Sequence, residues 1–231
     1  MNKRQLSQES LKTIACITML LDHVGATFLP NIGLRCVGRI AFPIYCFLLA
    51  EGVHYTKDAK RYALRLGTGA LLSEIPFDIL FFGSVTLLHQ SVMITLLLGF
   101  FMANLMKRAK LFWQKVLWIL PFALTAEWMR TDYGGMGIIL IALFILTHNM
   151  PYQRLIQTAG MAIICCLMDS YLISFGWISI PIELLAVFSM IPIALYTGHK
   201  ATSSRWIQWG FYLFYPLHLT MLLGIRLYIG A

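Results

Sequence analysis

Seven ionisable side chains lie inside stretches of this chain that are otherwise apolar enough to cross a lipid bilayer. They are Asp22, His23, Glu74, Asp78, Asp169, Glu183 and His218. A charged group at the centre of a bilayer costs about 2.5–3.5 kcal/mol on insertion scales, so such groups face protein or a water-filled cavity and mark pathways or reactive sites. Buried carboxylates and imidazoles favour proton-transfer chemistry.

His23 is the candidate general base, because an imidazole titrates near neutral pH. Asp22 precedes it, and consecutive residues of a helix do not share a face, so we expect the two side chains to meet different neighbours. Asp22 either orients the base or forms an ion pair with Arg39 on the next span. His218 follows Pro216 and is either a proton relay or a packing residue.

Glu74 and Asp78 are four residues apart and therefore share one helix face, with Pro76 between them. Two carboxylates this close favour sharing a proton, which suits a proton acceptor or relay. The alternative is structural: Pro76 breaks the helix, and each carboxylate caps a backbone N–H that the break leaves free.

The elements that must position these groups are membrane helices. Hydrophobic residues make up 59% of the 231 residues and charged residues 12%, against about 25% charged in soluble domains. A span needs about 20 mostly apolar residues. Candidate spans cover 11–29, 35–53, 61–82, 88–106, 113–129, 135–149, 154–173, 177–196 and 207–229. The sequence predicts an all-α polytopic membrane protein, a single domain over 1–231 with about nine transmembrane helices (range eight to ten) in one bundle.

Lys and Arg are distributed unevenly between the two ends of these spans, 14 on the side of the N-terminus and 4 on the other. This asymmetry predicts a multi-pass protein of the cell membrane with a cytoplasmic N-terminus and an external C-terminus. It also explains the net charge of +8, so nucleic-acid binding is not expected. Five cysteines without a CxxC pair support neither a disulfide framework nor a metal site. Asp22 and His23 interrupt the first apolar stretch, so we expect no cleaved signal peptide.

The polar groups are predicted to lie at a similar depth in the membrane. A rise of about 1.5 Å per residue puts Asp22, His23 and Glu74 at a similar level. Glu127, Asp169 and His218 reach the same level, and Arg39 and Glu183 approach it from the outer side. The sequence therefore predicts one buried polar layer.

A dense basic group opens the third span. Lys60, Arg61 and Arg65 stand there, and Glu51-Gly52 precedes them. Arg61 and Arg65 share a helix face, so their guanidinium groups could bind the phosphates of a cosubstrate. The alternative is that these residues anchor the span at the cytoplasmic surface.

Several phrases of the sequence resemble the TraX family, whose namesake is a membrane protein that acetylates the N-terminus of conjugative pilin. They cover the chain in this order: Leu11-Lys12 to Met19, Asp22-His23-Val24-Gly25, 38–45 (GRIAFPIY), Glu51-Gly52, 73–78 (SEIPFD), Thr95-Leu96, Asp132-Tyr133-Gly134 with Gly137, Phe211-Tyr212, and 215–219 (YPLHL). The first two spans are more distantly similar to membrane acyltransferases that acetylate cell-surface sugars and to the heparan-glucosamine acetyltransferase.

The resemblance implies an enzyme that transfers acetyl from acetyl-CoA to an amine or hydroxyl of an envelope peptide, glycan or lipid. His23 would be the base, assisted by Asp22, Glu74 or His218. Glu51, Lys60, Arg61 and Arg65 would help to hold the cosubstrate, and Arg39 would meet the thioester oxygen if Asp22 does not engage it. No Ser or Cys stands beside His23 in a nucleophile elbow, which favours direct transfer. A proton-coupled transporter and a non-catalytic membrane scaffold are the alternatives.

Overall fold

The computed structural model describes residues 6–29, 31–168, 170–175, 177–198 and 205–230, and it is mostly helical. The helices are α1 Gln8–Thr27, α2 Ile32–Gly38, α3 Ala41–Tyr55, α4 Ala59–Phe82, α5 Val92–Arg108, α6 Phe112–Leu117, α7 Ile119–Trp128, α8 Gly134–Leu146, α9 Gln153–Leu167, α10 Met190–Ala194 and α11 Arg205–Ile229. A 3₁₀ helix, Ile182–Ser189, leads into α10. Asp169, one of the seven groups singled out above, lies outside the described residues.

A two-stranded antiparallel sheet interrupts the helices, so the predicted all-α fold is confirmed only in part: the described chain is mostly, not entirely, helical. Strands β1 (Leu172–Phe175) and β2 (Ile178–Pro181) pair in a register that sets Ile173 opposite Ile180. They occupy the junction of two predicted spans, 154–173 and 177–196. Residues 172–181 include three Ile, one Phe and one Trp, and β-branched and aromatic residues suit a pleated strand better than a helix.

Two helical stretches are long and apolar enough to cross a membrane, Ile32–Tyr55 and Trp206–Ile229. They agree with a membrane location. Gly134–Leu146, Gln153–Leu167 and Ile182–Ala194 are apolar but shorter. The predicted count of nine spans is therefore not confirmed. One reason is that some predicted spans are divided, as 113–129 is between α6 and α7.

Helix α3 lies at the centre of the bundle. It packs against α1, α5, α8 and the 3₁₀ helix, and Ile44 and Cys46 on it are fully buried. Helix α11 packs on α4 and α1, and α9 packs on α8 and the 3₁₀ helix. The core around α3 therefore includes α1, which carries Asp22 and His23, and the 3₁₀ helix, which carries Glu183.

The helices that carry Pro76 and Pro216 are not broken, although a break at Pro76 was predicted from the sequence. Helix α4 runs through Pro76 to a left-handed Gly83 (φ 77°), and α11 runs through Pro216. Proline removes one internal hydrogen bond, and we attribute the continuity of both helices to their packing against each other. The carboxylates of α4 instead cap the next segment. Glu74 accepts hydrogen bonds from the backbone N–H and the hydroxyl of Ser91, and Asp78 accepts one from Thr86 N (2.9 Å).

Contacts between connecting segments fall at two opposite ends of the bundle. At one end, Lys107 Nζ donates to the carbonyl of Val53 (2.9 Å), and His148 Nε2 lies 3.1 Å from Glu51 Oε1. At the other end, Gln90 and Thr131 form a β-bridge. We call these the Glu51 end and the Thr131 end.

Candidate functional site

A buried ion network joins α1, α2 and the 3₁₀ helix. Arg39 Nη2 donates to Asp22 Oδ1 (2.6 Å), and Arg35 Nη1 donates to Asp22 Oδ2 (2.7 Å). Arg39 Nη1 donates to Glu183 Oε1 (2.7 Å). Gly38 makes room for the network, because a Cβ at that position would lie 2.3 Å from Asp22. The ion pair of Asp22 with Arg39, one of the two alternatives for Asp22, is present.

This network engages Asp22 and Arg39, the two candidate partners of the reaction that lie nearest to His23 in the sequence. Both carboxylate oxygens of Asp22 accept from guanidinium groups, and Arg39 bridges two carboxylates. Removing one member of a buried ion pair costs about 3–5 kcal/mol, because an uncompensated charge stays behind. We therefore assign Asp22 and Arg39 to holding the helices in place.

His23 and His218 form a hydrogen-bonded pair. His23 Nδ1 lies 2.7 Å from His218 Nε2, and the two ring planes are within 8° of each other. His218 Nδ1 lies 2.8 Å from the carbonyl of Phe214. A carbonyl only accepts, so His218 carries its proton on Nδ1 and accepts at Nε2 from the Nδ1–H of His23. In the neutral pair, the free lone pair of His23 is therefore on Nε2.

The pair lies beside a cavity of about 330 Å³ that we call the His23 cavity. His23, Asp22, Arg39 and Asp132 are among its lining residues. The rings of Phe81 and Tyr215 pack edge-on against His23, with centroids 5.5 and 5.9 Å away. The base is held between aromatic rings and opens into a cavity with charged walls.

Asp132 also lines this cavity, and no role for it was predicted from the sequence. Its N–H donates to the carbonyl of Gln90 (2.9 Å), and the next ring, Tyr133, stacks on Phe42 at 3.6 Å. Asp132 is an exposed residue that lines the cavity. The protein around it still raises the pKa of Asp132 to about 6, first through desolvation; Asp22 and Glu183 add to the rise, and Arg39 and Arg35 oppose it. The Asp132-Tyr133-Gly134 segment, which resembles the TraX family, was the sequence signal that could have pointed to this residue.

A second cavity, of about 520 Å³, opens toward the Glu51 end. We call it the Arg65 cavity. The Arg65 guanidinium lies over the rings of Tyr62 (5.6 Å) and Tyr212 (5.2 Å), and Lys12 Nζ lies 5.3 Å from the centre of the Phe211 ring. Arg65, Lys12 and both tyrosines line the cavity. No role for Lys12 or for the two tyrosines was predicted from the sequence.

The predicted basic group is divided by the structure. Arg61 pairs with Asp58 at 3.0 Å, with its side chain 76% exposed, and Lys60 is also exposed. Neither residue lines the Arg65 cavity, whereas Glu51 does. Asp58 is the reason that Arg61 stays away from the Arg65 cavity. It caps the start of α4 by accepting a hydrogen bond from Arg61 N, and its carboxylate also pairs with the Arg61 guanidinium.

The two cavities share three lining residues, Met19, Tyr45 and Val92. We call these residues the septum. Tyr45 is held there by its hydroxyl, which lies 3.2 Å from Cys16 Sγ. The Arg65 cavity and the His23 cavity therefore adjoin at these three side chains.

The predicted polar layer is present in part. The structure brings together Asp22, His23, Arg39, Glu183 and His218. Glu74 lies outside both described cavities as the cap of α5, and Glu127 accepts from Gly135 N (2.8 Å) at the start of α8. Across the described ranges, no three His, Cys, Asp or Glu side chains are grouped to hold a metal ion.

An apolar helical bundle with a histidine pair beside charged groups is consistent with a membrane protein that has an internal polar site. Residues 7–226 match the family described as "TraX protein", so the chain belongs to the TraX family. It is 27% identical, over 95% of each chain, to a "Probable fimbrial assembly protein FimC, serogroup H1" of Dichelobacter nodosus. It is 28% identical to an uncharacterized protein of Rickettsia prowazekii (strain Madrid E), over 64% of this chain and 59% of that one. No solved structure matches. The distant similarity to acyltransferases of cell-surface sugars stays a prediction.

Proposed function

We propose that this protein is an integral membrane acetyltransferase that moves acetyl from acetyl-CoA to an amine or hydroxyl of an envelope acceptor, with His23 as general base. The observation that carries the proposal is the pair of cavities meeting at the septum. One cavity offers cations and aromatic rings, and the other offers an imidazole lone pair.

The membrane topology in this proposal is multi-pass, with the Glu51 end cytoplasmic and the Thr131 end external. The outer faces of the helices support it, because large apolar side chains are exposed along α4, α7 and α11. They include Leu64, Leu71, Leu72, Ile75, Leu120, Leu124, Leu217, Met221 and Ile225. The contacts at the two ends agree with alternating spans, since segments 53–54, 107 and 148 meet at one end and 90 and 131 at the other.

Acetyl-CoA binds in the Arg65 cavity. Its phosphates meet the Arg65 guanidinium and the Lys12 ammonium, which give charge-assisted hydrogen bonds. Its adenine ring can stack on an aromatic wall such as that of Tyr212. The volume of about 520 Å³ lies within the usual range for small-molecule sites, roughly 300–1,000 Å³. The pantetheine arm points to the septum and carries the thioester toward His23.

His23 acts from the other side of the septum. The acceptor nitrogen or oxygen attacks the thioester carbonyl, and His23 Nε2 takes the proton that the acceptor loses. The carbon–sulfur bond then breaks, and the protonated imidazole returns that proton to the departing thiolate. His218 keeps the His23 proton on Nδ1 throughout, and so leaves Nε2 free to cycle.

The acceptor is a component of the envelope. The name of the Dichelobacter relative refers to fimbrial assembly, and the family resemblance implies pilin acetylation, so the N-terminal amine of a pilus-type subunit is the first acceptor to test. A sugar hydroxyl or a lipid head group would enter the same cavity.

The experiment combines binding with product analysis. Equilibrium dialysis should show that the purified protein in detergent binds radiolabelled acetyl-CoA, and that His23→Ala binds it equally. Mass spectrometry of envelope peptides and glycans should then find an acetyl group that is lost both when the gene is deleted and when it carries His23→Ala.

A protein that binds no acetyl-CoA, or a host whose envelope acetylation is unchanged by deletion, would contradict the proposal. A proton-coupled transporter would instead show solute uptake driven by a pH gradient in proteoliposomes, with no acetylated product.

A further inference from the structure

We infer that Asp132 is the acceptor-binding residue of the His23 cavity and holds the acceptor as a primary ammonium ion. The inference rests on the proposed function. It selects an amine over a hydroxyl, and it assigns a residue that the chemistry above does not use.

The charges that line the cavity give the first argument. The guanidinium groups of Arg35 and Arg39 are paired with the carboxylates of Asp22 and Glu183. Asp132 adds one more carboxylate to the same cavity. Among the contacts between described residues, no hydrogen bond or ion pair engages its oxygens. The cavity thus presents one carboxylate whose hydrogen-bond acceptors are available to a cation.

The position of Asp132 is fixed, which gives the second argument. Its backbone is tied to Gln90 through the β-bridge and the bond from Asp132 N to the Gln90 carbonyl. On its other side, the Tyr133 ring is stacked on Phe42. A carboxylate on a segment anchored at both sides can hold a ligand atom in one place, as an acceptor nitrogen beside His23 Nε2 requires.

The third argument is that an ammonium substrate must lose two protons during acetylation, so the site needs a second base besides His23. An ammonium ion must lose one proton before its nitrogen can attack and a second as the amide forms. Asp132 takes the first proton, and His23 Nε2 takes the second and returns it to the thiolate of coenzyme A. The balanced reaction converts R–NH₃⁺ and acetyl-CoA into the N-acetyl product, coenzyme A and one proton released by Asp132. A carboxyl group with a pKa of about 6 can release that proton at neutral pH.

The test measures binding without acetyl-CoA, so that it does not depend on transfer. The probes are alaninamide, which carries an α-ammonium, and N-acetylalaninamide, which lacks it. Saturation-transfer NMR on the purified protein at pH 7.5 should detect alaninamide and not its acetylated analogue. Asp132→Asn should weaken alaninamide binding about tenfold or more, the size of one lost charge-assisted contact. Asp132→Glu should retain most of it.

The matched control is Asp58→Asn, which also removes one carboxylate and keeps a good helix cap. It lies at the start of α4, far from the cavity lining, and should bind alaninamide as the unaltered protein does. Equal binding of the two probes by the unaltered protein, or unchanged alaninamide binding in a folded Asp132→Asn, would overturn the inference. Acetyl transfer without Asp132-dependent binding would refute this inference alone. Binding without any transfer would refute the proposed function and leave the ammonium site standing.

Discussion

Replacing His218 with Ala tests the role that the hydrogen-bond geometry gives it. His218 does not contact the acceptor in the proposed reaction. It fixes the tautomer of His23, because its Nε2 accepts the His23 Nδ1–H at 2.7 Å while its own Nδ1–H is held by Phe214 O at 2.8 Å. Without it, His23 can protonate on either nitrogen, and the form with a free Nε2 lone pair becomes less populated.

The expected size of the effect follows from the lost hydrogen bond. A net contribution of about 0.5–1.5 kcal/mol corresponds to a roughly two- to twelve-fold lower population of the competent form, since about 1.4 kcal/mol is tenfold. His23→Ala removes the base itself and should slow transfer at least about 100-fold. His218→Gln should restore much of the rate, because its amide oxygen can accept from His23 Nδ1–H.

The assay follows radiolabelled acetyl from acetyl-CoA into the envelope fraction of a host that lacks the gene. The double variant His23→Ala, His218→Ala is the decisive sample. If His218 acts only through His23, the double variant should be no slower than His23→Ala alone, because the two residues act as a unit. A double variant slowed by the product of the two single effects, or a His218→Gln as slow as His218→Ala, would refute the tautomer argument.

Three further predictions follow from the cavities. Arg65→Gln should weaken acetyl-CoA binding about tenfold or more, whereas Arg61→Gln, which removes an exposed guanidinium paired with Asp58, should leave it unchanged; equal losses in equilibrium dialysis would indicate a diffuse surface attraction. Val92→Phe enlarges a septum residue, so it should slow acetyl transfer while alaninamide and acetyl-CoA still bind; an unchanged rate would show that the acetyl group does not pass there. Asp132→Asn should raise the melting temperature above pH 6, because a folded-state pKa of about 6 against about 3.9 unfolded means that the ionised form destabilises the fold. In calorimetric scans, the difference in melting temperature between Asp132→Asn and the unaltered protein should shrink as the pH falls from about 6 toward 4. A difference that stays constant with pH would show that ionisation of Asp132 is not its cause.

The sequence predicted much of the fold because hydropathy determines where helices lie. Helical segments occupy each predicted span at least in part, and the ends of α4 and α11 fall close to the predicted ones. The hairpin at 172–181 was missed because a short run of apolar residues suits a strand and a helix equally in a hydropathy pattern. The predicted break at Pro76 of α4 was wrong, and we attribute the intact helix to packing against α11, which compensates for one lost hydrogen bond.

Contacts within the site could be predicted from the sequence where the two residues lie on adjacent helices. The Asp22–Arg39 pair is such a case, because the two residues lie near the same depth on adjacent spans. Asp132 and Lys12 were missed, since each becomes part of a cavity only when helices distant in sequence pack together. Arg61 and Arg65 share a helix face in principle, but a local partner, Asp58, keeps Arg61 at the surface.

Transfer across the septum is the central claim, and sealed proteoliposomes test it most directly. Acetyl-CoA is added outside, tryptic peptides of the host's envelope proteins are trapped inside as amine acceptors, and mass spectrometry reads N-acetylation of the trapped peptides. We predict acetylated internal peptides in vesicles whose protein has its Glu51 end outward, and none with His23→Ala. Acetylation only of peptides on the same side as acetyl-CoA, or acetylation that persists in His23→Ala, would contradict the claim.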